Sequence, residues 1–476
     1  MKTHTAQGSV DSVGPQVSSE STTVVTAAEA VRTHRRRLLQ ATAASAAAAI
    51  GFKSAPVLGQ AKPFAGVTLN GACFQHVFQT YIKDLIPEFE ALSGAKVNLD
   101  LQGFPVYNQR MDLELSTKGQ AYDFCNITFI YSGRWIGAGW MTPLDDFFKD
   151  RNKTAPDWDA ADFVGGAQSS LIDNKGLTYG FAWEAGAMIM GASRGDLLDK
   201  AGVKMPTTFD ELIKVCEALK KADGSVAPFV ADRLHHWNWG PYLMGFGGKV
   251  FRGAPQDLTP MLDTPEAAEA AQWYANLLSG YGPAGVLSYT DDQAMRSQIA
   301  GRANLRTQSI SWQTPLVKHA ESTVKSTARY ALMPAGPKGN FPGCNSHGYG
   351  IPLGARNKDA AWAFIQWAMS KQTLRKIALG KGYSAICRRS IINDAAYRES
   401  MTLNGQDVAA LYLQVLEQAG RSDYMKYRTV PVFPQVGDKI NKAIEKIATR
   451  QMGAKEAMKE AQEASIADLR KAGVQV

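Results

Sequence analysis

The stretch "FQTYIKDLIPEFEALSGAKVNLDLQG" (residues 78–103) changes from one hydrophobic period to another within a few residues. Ile82, Leu85, Ile86, Phe89 and Leu92 recur at helical spacing, and Gly94 supplies the stop. Val97, Leu99 and Leu101 then alternate, the pattern of a strand with one buried face. A helix delivered into a strand through one glycine is the unit from which α/β proteins are built.

Working outward, the unit recurs. "GVTLNGA" (66–72) reads as a strand ahead of the helix, and "YDFCNITFI" (122–130) as a further buried strand. The loop "YSGRWIGAGW" (131–140) and a short helix in "TPLDDFF" (142–148) follow. In "MPTTFDELIKVCEALKKADG" (205–224), Thr208 and Glu211 form a capping box, and Leu212, Val215 and Leu219 face inward. "NKDAAWAFIQWAMS" (357–370) sets Ala361, Phe364, Ile365 and Ala368 on one face. The last third is mostly helical, ending in "AKEAMKEAQEASIADLRKAG" (454–473). Strands separated by helices imply βαβ units and a largely parallel sheet.

A chain of 476 residues is long enough for two or three domains or one two-lobed body. Its net charge of +8 is densest at one end but mild over the rest. Residues 1–61 hold six Lys/Arg and three Asp/Glu, leaving 46 − 41 = +5 for the rest. No basic stripe follows Arg37, so no nucleic-acid partner is expected. The leader contains "THRRRLLQATAASAAAAIGF" (33–52), whose uncharged run from Leu38 to Phe52 is too short to span a bilayer. Arg35 and Arg36, with Leu38-Leu39 following, resemble a twin-arginine export signal, and Gly59-Gln60-Ala61 resembles a cleavage site. Residues 1–61 are therefore expected to be a removed export signal, and the product periplasmic. The first cysteine is Cys73, so lipid anchoring is not expected.

The cysteines at 73, 125, 216, 344 and 387 show no metal spacing, and no metal or other cofactor is expected. Whether Cys344 and Cys387 bond stays open. There is no G-x-S-x-G, P-loop or H-E-x-x-H. "GYGPAG" (280–285) matches G-x-G-x-x-G but follows a helical pattern, and reads as a helix stop. His235 and His236 are adjacent, and a surface or loop position is the plainer reading. Tryptophan placement points elsewhere. Trp135, Trp140, Trp183, Trp237, Trp239 and Trp312 fall in expected loops beside Arg134, Glu184, Asn238 and Gln313. Flat aromatics cover the C–H face of a sugar, while carboxylate, amide and guanidinium groups read its hydroxyl edge.

Five segments in order give the mature chain its resemblance to the family 1 extracellular solute-binding proteins of bacterial ABC importers. "IPEFEALSGAKVNLD" (86–100) and "YDFCNITFIYSGRWIGAGWMTPLDDF" (122–147) are similar to that family's first helix–strand and ligand loop. "YGFAWEAGAMIMGASRGDLLDKAGVKMPTTFDEL" (179–212) resembles the first lobe crossing and its capped helix, though Ser193-Arg194 stands where Asn-Lys is common. "SQIAGRANLRTQSISW" (297–312) and "ALMPAGPKGNFPGCNSHGYGIPLGARNKDAAWAFIQWAMS" (331–370) resemble a later segment and the return crossing.

The resemblance implies a two-lobed, maltose-binding-protein-like α/β fold (class II) with three hinge crossings. Lobe one would take 64–183 and 343–384, and lobe two 184–342 and 385–476. A sugar or polyol would be captured between the lobes and delivered to an ABC permease by a monomeric carrier without catalysis. The residues expected to touch it are Gln75 and His76 after the first strand and Tyr131 and Arg134 on the next loop. Trp183, as a stacking surface, and Glu184, as an acceptor, would come from the first crossing. Trp237, Asn238, Trp239 and Trp312 would close from lobe two. Asn345 and His347 would lie on the return crossing, and Arg388 after the third. Arg134, Arg388 and His347 together would suit an anionic ligand such as a sugar phosphate, which keeps that alternative open, with an exported enzyme a more distant one.

Overall fold

The computed structural model describes residues 62–421, 430 and 432–476; the leader expected as an export signal lies outside them. The strands in chain order are β1 (Thr68–Phe74), β2 (Lys96–Gln102), β3 (Phe124–Thr128), β4 (Gly180–Ala192), β5 (Ala227–Phe229) and β6 (Phe251–Gly253). They continue with β7 (Asp257–Pro260), β8 (Ala303–Ser309), β9 (Arg329–Leu332), β10 (Cys344–Gly350), β11 (Thr402–Leu403) and β12 (Gln406–Asp407).

The quoted stretch folds as its periods require. A helix runs Val77–Ser93 with Phe78, Ile82, Ile86 and Phe89 buried, and Gly94 ends it at φ 80°, where a side chain would be strained. The chain then enters β2, which pairs in parallel with β1. Thr208 caps the helix Phe209–Ala222 by accepting from Glu211 N, and Leu212, Val215 and Leu219 are buried. The box closes differently from expectation, because the Glu211 carboxylate turns to Thr207. The helix Lys358–Ala368 is buried on all sides beyond its first turn, not on one face alone.

One large sheet has the order β2-β1-β3-β10-β4-β8-β5, with β9 also on β4. It is less parallel than the alternation of elements implies. Parallel pairs lie towards its two ends, β1 with β2 and β3, and β5 with β8. The centre is antiparallel, because β4 and β10 pass through the middle in opposite directions. β4 joins two separate hydrophobic clusters, with Phe181 to Ala187 in one and Met188, Met190 and Ala192 in the other.

The first cluster gathers the helix Val77–Ser93, β1, β3, the first half of β4, β10 and the helices after it. The second gathers Met188 to Val286, β5 and the C-terminal helices from Phe433. The stretch 385–476, expected as a unit in lobe two, divides between them. Ala385 through Ala419 pack in the first cluster, and Val430 onward in the second. The chain therefore passes from the first cluster to the second after Ala419. Ile310, Leu316, Val324 and Tyr330, also expected in lobe two, pack with the first. All five cysteines are buried free thiols. Among the described residues no helix is long and apolar enough to cross a membrane.

Candidate functional site

The middle of the sheet carries an irregularity that builds the site. His347 of β10 faces Glu184 of β4, yet Gly348 faces Ala182, so Trp183 is an extra residue on its strand. Such a bulge breaks the strict alternation of faces. Here Trp183 and Glu184 both reach the loop after β1. The Trp183 ring lies 4.9 Å from His76, and Glu184 Oε2 lies 3.1 Å from His76 Nε2. His76 is also the N-cap of the helix Val77–Ser93, with Nδ1 accepting from Phe78 N at 3.2 Å. That bond assigns the tautomer: the proton sits on Nε2 and is donated to Glu184.

Glu184 is held from the other side as well. Ser311 Oγ donates to its Oε1 at 3.1 Å, and Ser309 and Ser311 hydroxyls are 2.9 Å apart. The indole of Trp183 lies between Phe78 (4.9 Å, stacked) and His347 (5.5 Å, stacked) and is fully buried. Both its faces are occupied by protein, so it supports the site from beneath and is not a stacking surface. Its Nε1, with His347 Nδ1, Asn345 Oδ1 and the Tyr383 hydroxyl, is a buried polar atom without a protein partner. Such atoms are costly unless something pairs with them. Burial pushes His347 down to about 3, with His76 adding to the effect. Burial, and then the charge of Glu184, pushes the Tyr383 phenol well up.

Phe129, just past β3, joins this group to a second one. Its ring is 5.4 Å from His347 and 5.5 Å from Trp237. Trp237 Nε1 donates to Gln308 Oε1 at 3.2 Å, and Gln308 Nε2 donates to Asp232 Oδ2 and Asp291 Oδ1. Arg306, two residues earlier on β8 and hence on the same face, donates to the same two carboxylate oxygens. Asn238 donates to Asp232.

Of the residues expected from sequence, the structure brings together His76, Trp183, Glu184, Asn345 and His347, with Trp237 and Asn238 one step away. Gln75 is exposed beside them. Trp239 is fully buried in the second cluster, and Trp312 is half-buried against the first. Tyr131 is half-buried with its ring 5.5 Å from Trp135. The two arginines are engaged elsewhere. Arg134 makes two bonds to Asp112, and Arg388 is buried against Asp162 at 3.1 Å, stacked over Phe163 and Trp158. Neither is free to read an anion. His235, expected in a loop at the surface, is buried beside Tyr274, and burial lowers it to about 4.

Sequence reasoning missed Tyr383, Ser311 and the Asp232–Asp291–Arg306–Gln308 cluster. A signal existed for the last. Arg306 and Gln308 are polar residues at i and i+2 in a strand buried along its whole length, which polar side chains rarely occupy without partners. Among the described residues no group of His, Cys, Asp and Glu could hold a metal ion. A solvent-open groove of about 690 Å³, lined among others by Leu278, Val286 and Lys442, shares no residue with the site.

The arrangement is a two-cluster α/β body whose polar and aromatic group sits on β4, which joins the clusters, and on its neighbour β10. Residues 76–373 match the model of the bacterial extracellular solute-binding protein family, and the chain belongs to that family. It is 23% identical over 368 residues to an erythritol/L-threitol-binding protein of Mycolicibacterium smegmatis, covering 74% of this chain and 76% of that one. It is 24% identical over 387 residues to a mannitol-binding protein of Pseudomonas aeruginosa, covering 77% and 85%. Among solved structures it is similar to an ABC transporter solute-binding protein of Agrobacterium radiobacter in complex with ribitol. That match has a TM-score of 0.74 at 23% identity, and covers 85% of this chain and 100% of that one. A maltose-bound protein from T. maritima matches at TM-score 0.70 and 19% identity, covering 84% and 99%. The fold is thus the maltose-binding-protein-like one.

Proposed function

We propose that this chain captures a neutral, hydroxyl-rich small molecule, an acyclic polyol before a ring sugar, and delivers it to an ABC import permease. The observation that carries the reading is Glu184. Its carboxylate is held at one oxygen by His76, from the loop after β1, and at the other by Ser311, from the turn after β8. A carboxylate with lone pairs to spare is a strong acceptor for two adjacent hydroxyls. Around it the Tyr383 hydroxyl, Asn345 Oδ1 and Trp183 Nε1 offer further donors and acceptors. A ligand bonding to both halves would favour the closed form, which a permease can recognise. Binding needs no bond-making chemistry, and we propose none.

The anionic alternative is disfavoured by where the cations are spent. Arg134 and Arg388 are bound to Asp112 and Asp162, burial holds His347 neutral, and Glu184 would repel a phosphate. Relatives that bind erythritol, mannitol and ribitol support the polyol class. Export through the arginine-rich leader to the periplasm, without a lipid anchor, and action as a monomer belong to the same reading. So does its lobe plan, with the hinge at β4, β10 and the passage after Ala419. Thermal melts of the full chain with millimolar erythritol, ribitol, D-mannitol, maltose and glycerol 3-phosphate test it. The neutral polyols should raise the melting temperature, and Glu184→Ala should abolish the rise. A rise with the phosphate alone would overturn the reading.

A further inference from the structure

We propose that Gln308 is the positioning residue of the site's second wall, its amide locked by Asp232, Asp291 and Arg306 so that it fixes both Trp237 and the serine relay to Glu184. This rests on the polyol-capture reading for its consequence, but not for its geometry.

An amide can flip, exchanging its donor and acceptor ends. Here the flip is forbidden from both sides. The Nε2 end meets two carboxylate oxygens, at 2.8 Å and 2.9 Å, which can only accept while charged. The Oε1 end meets two donors, Trp237 Nε1 at 3.2 Å and Ser309 N at 2.8 Å. All four hydrogen-bonding positions of the amide are therefore filled, and reversing it would break every one. The second bond matters because Ser309 begins the chain Ser309–Ser311–Glu184. The first matters because Trp237 faces Phe129, and through it His347. One side chain thus sets an aromatic wall and the orientation of the proposed acceptor.

The lock holds a proton count of its own. Two carboxylates share one guanidinium, whose Nη2 touches both, in surroundings where Arg306 and Asp232 are buried completely or nearly so. Burial and then the charge of Asp232 push Asp291 up to about 7, while Arg306 helps to hold Asp232 below its usual range against burial. The other ionisable groups facing the cluster are His235, which burial keeps neutral, and Tyr274, whose phenol burial pushes well up. The pair should carry one proton in mildly acidic buffer and lose it across neutrality. Losing it strengthens the acceptor set that grips Gln308.

The test is indole N–H NMR on the uniformly ¹⁵N-labelled full chain, with the Trp237 signal assigned by its loss in Trp237→Phe. The signal should move between pH 5.5 and 8.5, and Asp291→Asn should flatten that movement while its amide oxygen still accepts from Arg306. Gln308→Met, of similar size, should displace the signal at every pH and weaken binding of D-mannitol or ribitol by about tenfold, the worth of one oriented hydrogen bond. A Trp237 signal indifferent to both substitutions overturns the proposal. So does a displaced signal with unchanged polyol affinity, which would make the lock a matter of packing alone. If the unsubstituted chain binds no polyol, the functional reading fails, and the indole signal by itself still decides whether Gln308 positions Trp237. If Gln308→Met does not fold, Asp291→Asn decides.

Discussion

Burial between β3 and β4 takes His347 away from water, and the imidazole of His76 adds to the cost of charging it, so its titration falls to about 3. An unfolded histidine titrates near 6.5. Between those values the unfolded chain binds a proton that the folded one does not, so stability is full above about 6.5 and is lost as pH falls towards 3. The slope is about 1.4 kcal/mol per pH unit once the unfolded histidine is protonated. His235, lowered to about 4, acts in the same sense. Urea unfolding at pH 4.5 and 7.5 should show a smaller acid loss for His347→Asn than for the unsubstituted chain; equal losses would mean that His347 is not held neutral. Arg388 makes the complementary case. Its pair with Asp162 is buried on both sides, and the bonds from Ser390 and Arg388 hold that carboxyl below its usual range against its own burial. Arg388→Met leaves a buried carboxylate with only its Ser390 bonds and a distant Lys371, which costs roughly 3–5 kcal/mol. Its melting temperature should fall accordingly, while polyol affinity of the folded fraction stays as it was. A loss of affinity with unchanged stability would return Arg388 to the site.

At the scale of elements, what could be read from the chain depended on how local the cause was. The helix Val77–Ser93 carries its own period and its own glycine stop, and so it was legible. The same holds for the Thr208 cap, whose partner lies three residues on. The bulge at Trp183 was not legible, because it is defined by β10, more than 150 residues away. Without it Trp183 reads as a ligand platform; with it the indole is walled by Phe78 and His347, and Glu184 is what reaches the site. The pairing of Arg388 was illegible for the same reason, since its anion lies 226 residues earlier. Contacts between distant elements also set tight limits on substitution. The short helix Gly165–Gln168 lies against the helix Val408–Arg421 so closely that a Cβ on Gly166 would come 2.2 Å from the Leu416 carbonyl oxygen. That neighbour is backbone and cannot swing aside. Gly166→Ala should therefore cost at least the upper end of the about 1–3 kcal/mol typical of overpacking. Chemical denaturation would measure it, and a variant as stable as the parent would show that the two helices are not held at this distance.

For the whole molecule, two hydrophobic clusters share one sheet, and the chain passes between them at several places, among them β4 and the stretch after Ala419. In the proposed lobe plan, hinge motion would be confined to a few residues of the connecting strands, where the bulge at Trp183 already interrupts the hydrogen-bond ladder. The proposed acceptor Glu184 sits on that bulge and is bonded to Ser311 just past β8, so a ligand held by Glu184 and the Trp237 wall would couple both clusters at the hinge. Closure can be driven only by contacts that differ between open and closed forms. A saturating polyol should therefore shrink the radius of gyration in small-angle scattering while the molecular mass stays that of one chain. At about 100 times its dissociation constant it should also stabilise the fold by about 2.7 kcal/mol. Glu184→Ala should lose both effects together, whereas Arg388→Met, whose partner Asp162 lies away from Glu184, should lower stability yet still contract. Stabilisation without contraction would mean that the ligand binds one cluster alone, and that the hydrogen-bond chain from His76 to Gln308 holds the strands together without reporting the ligand.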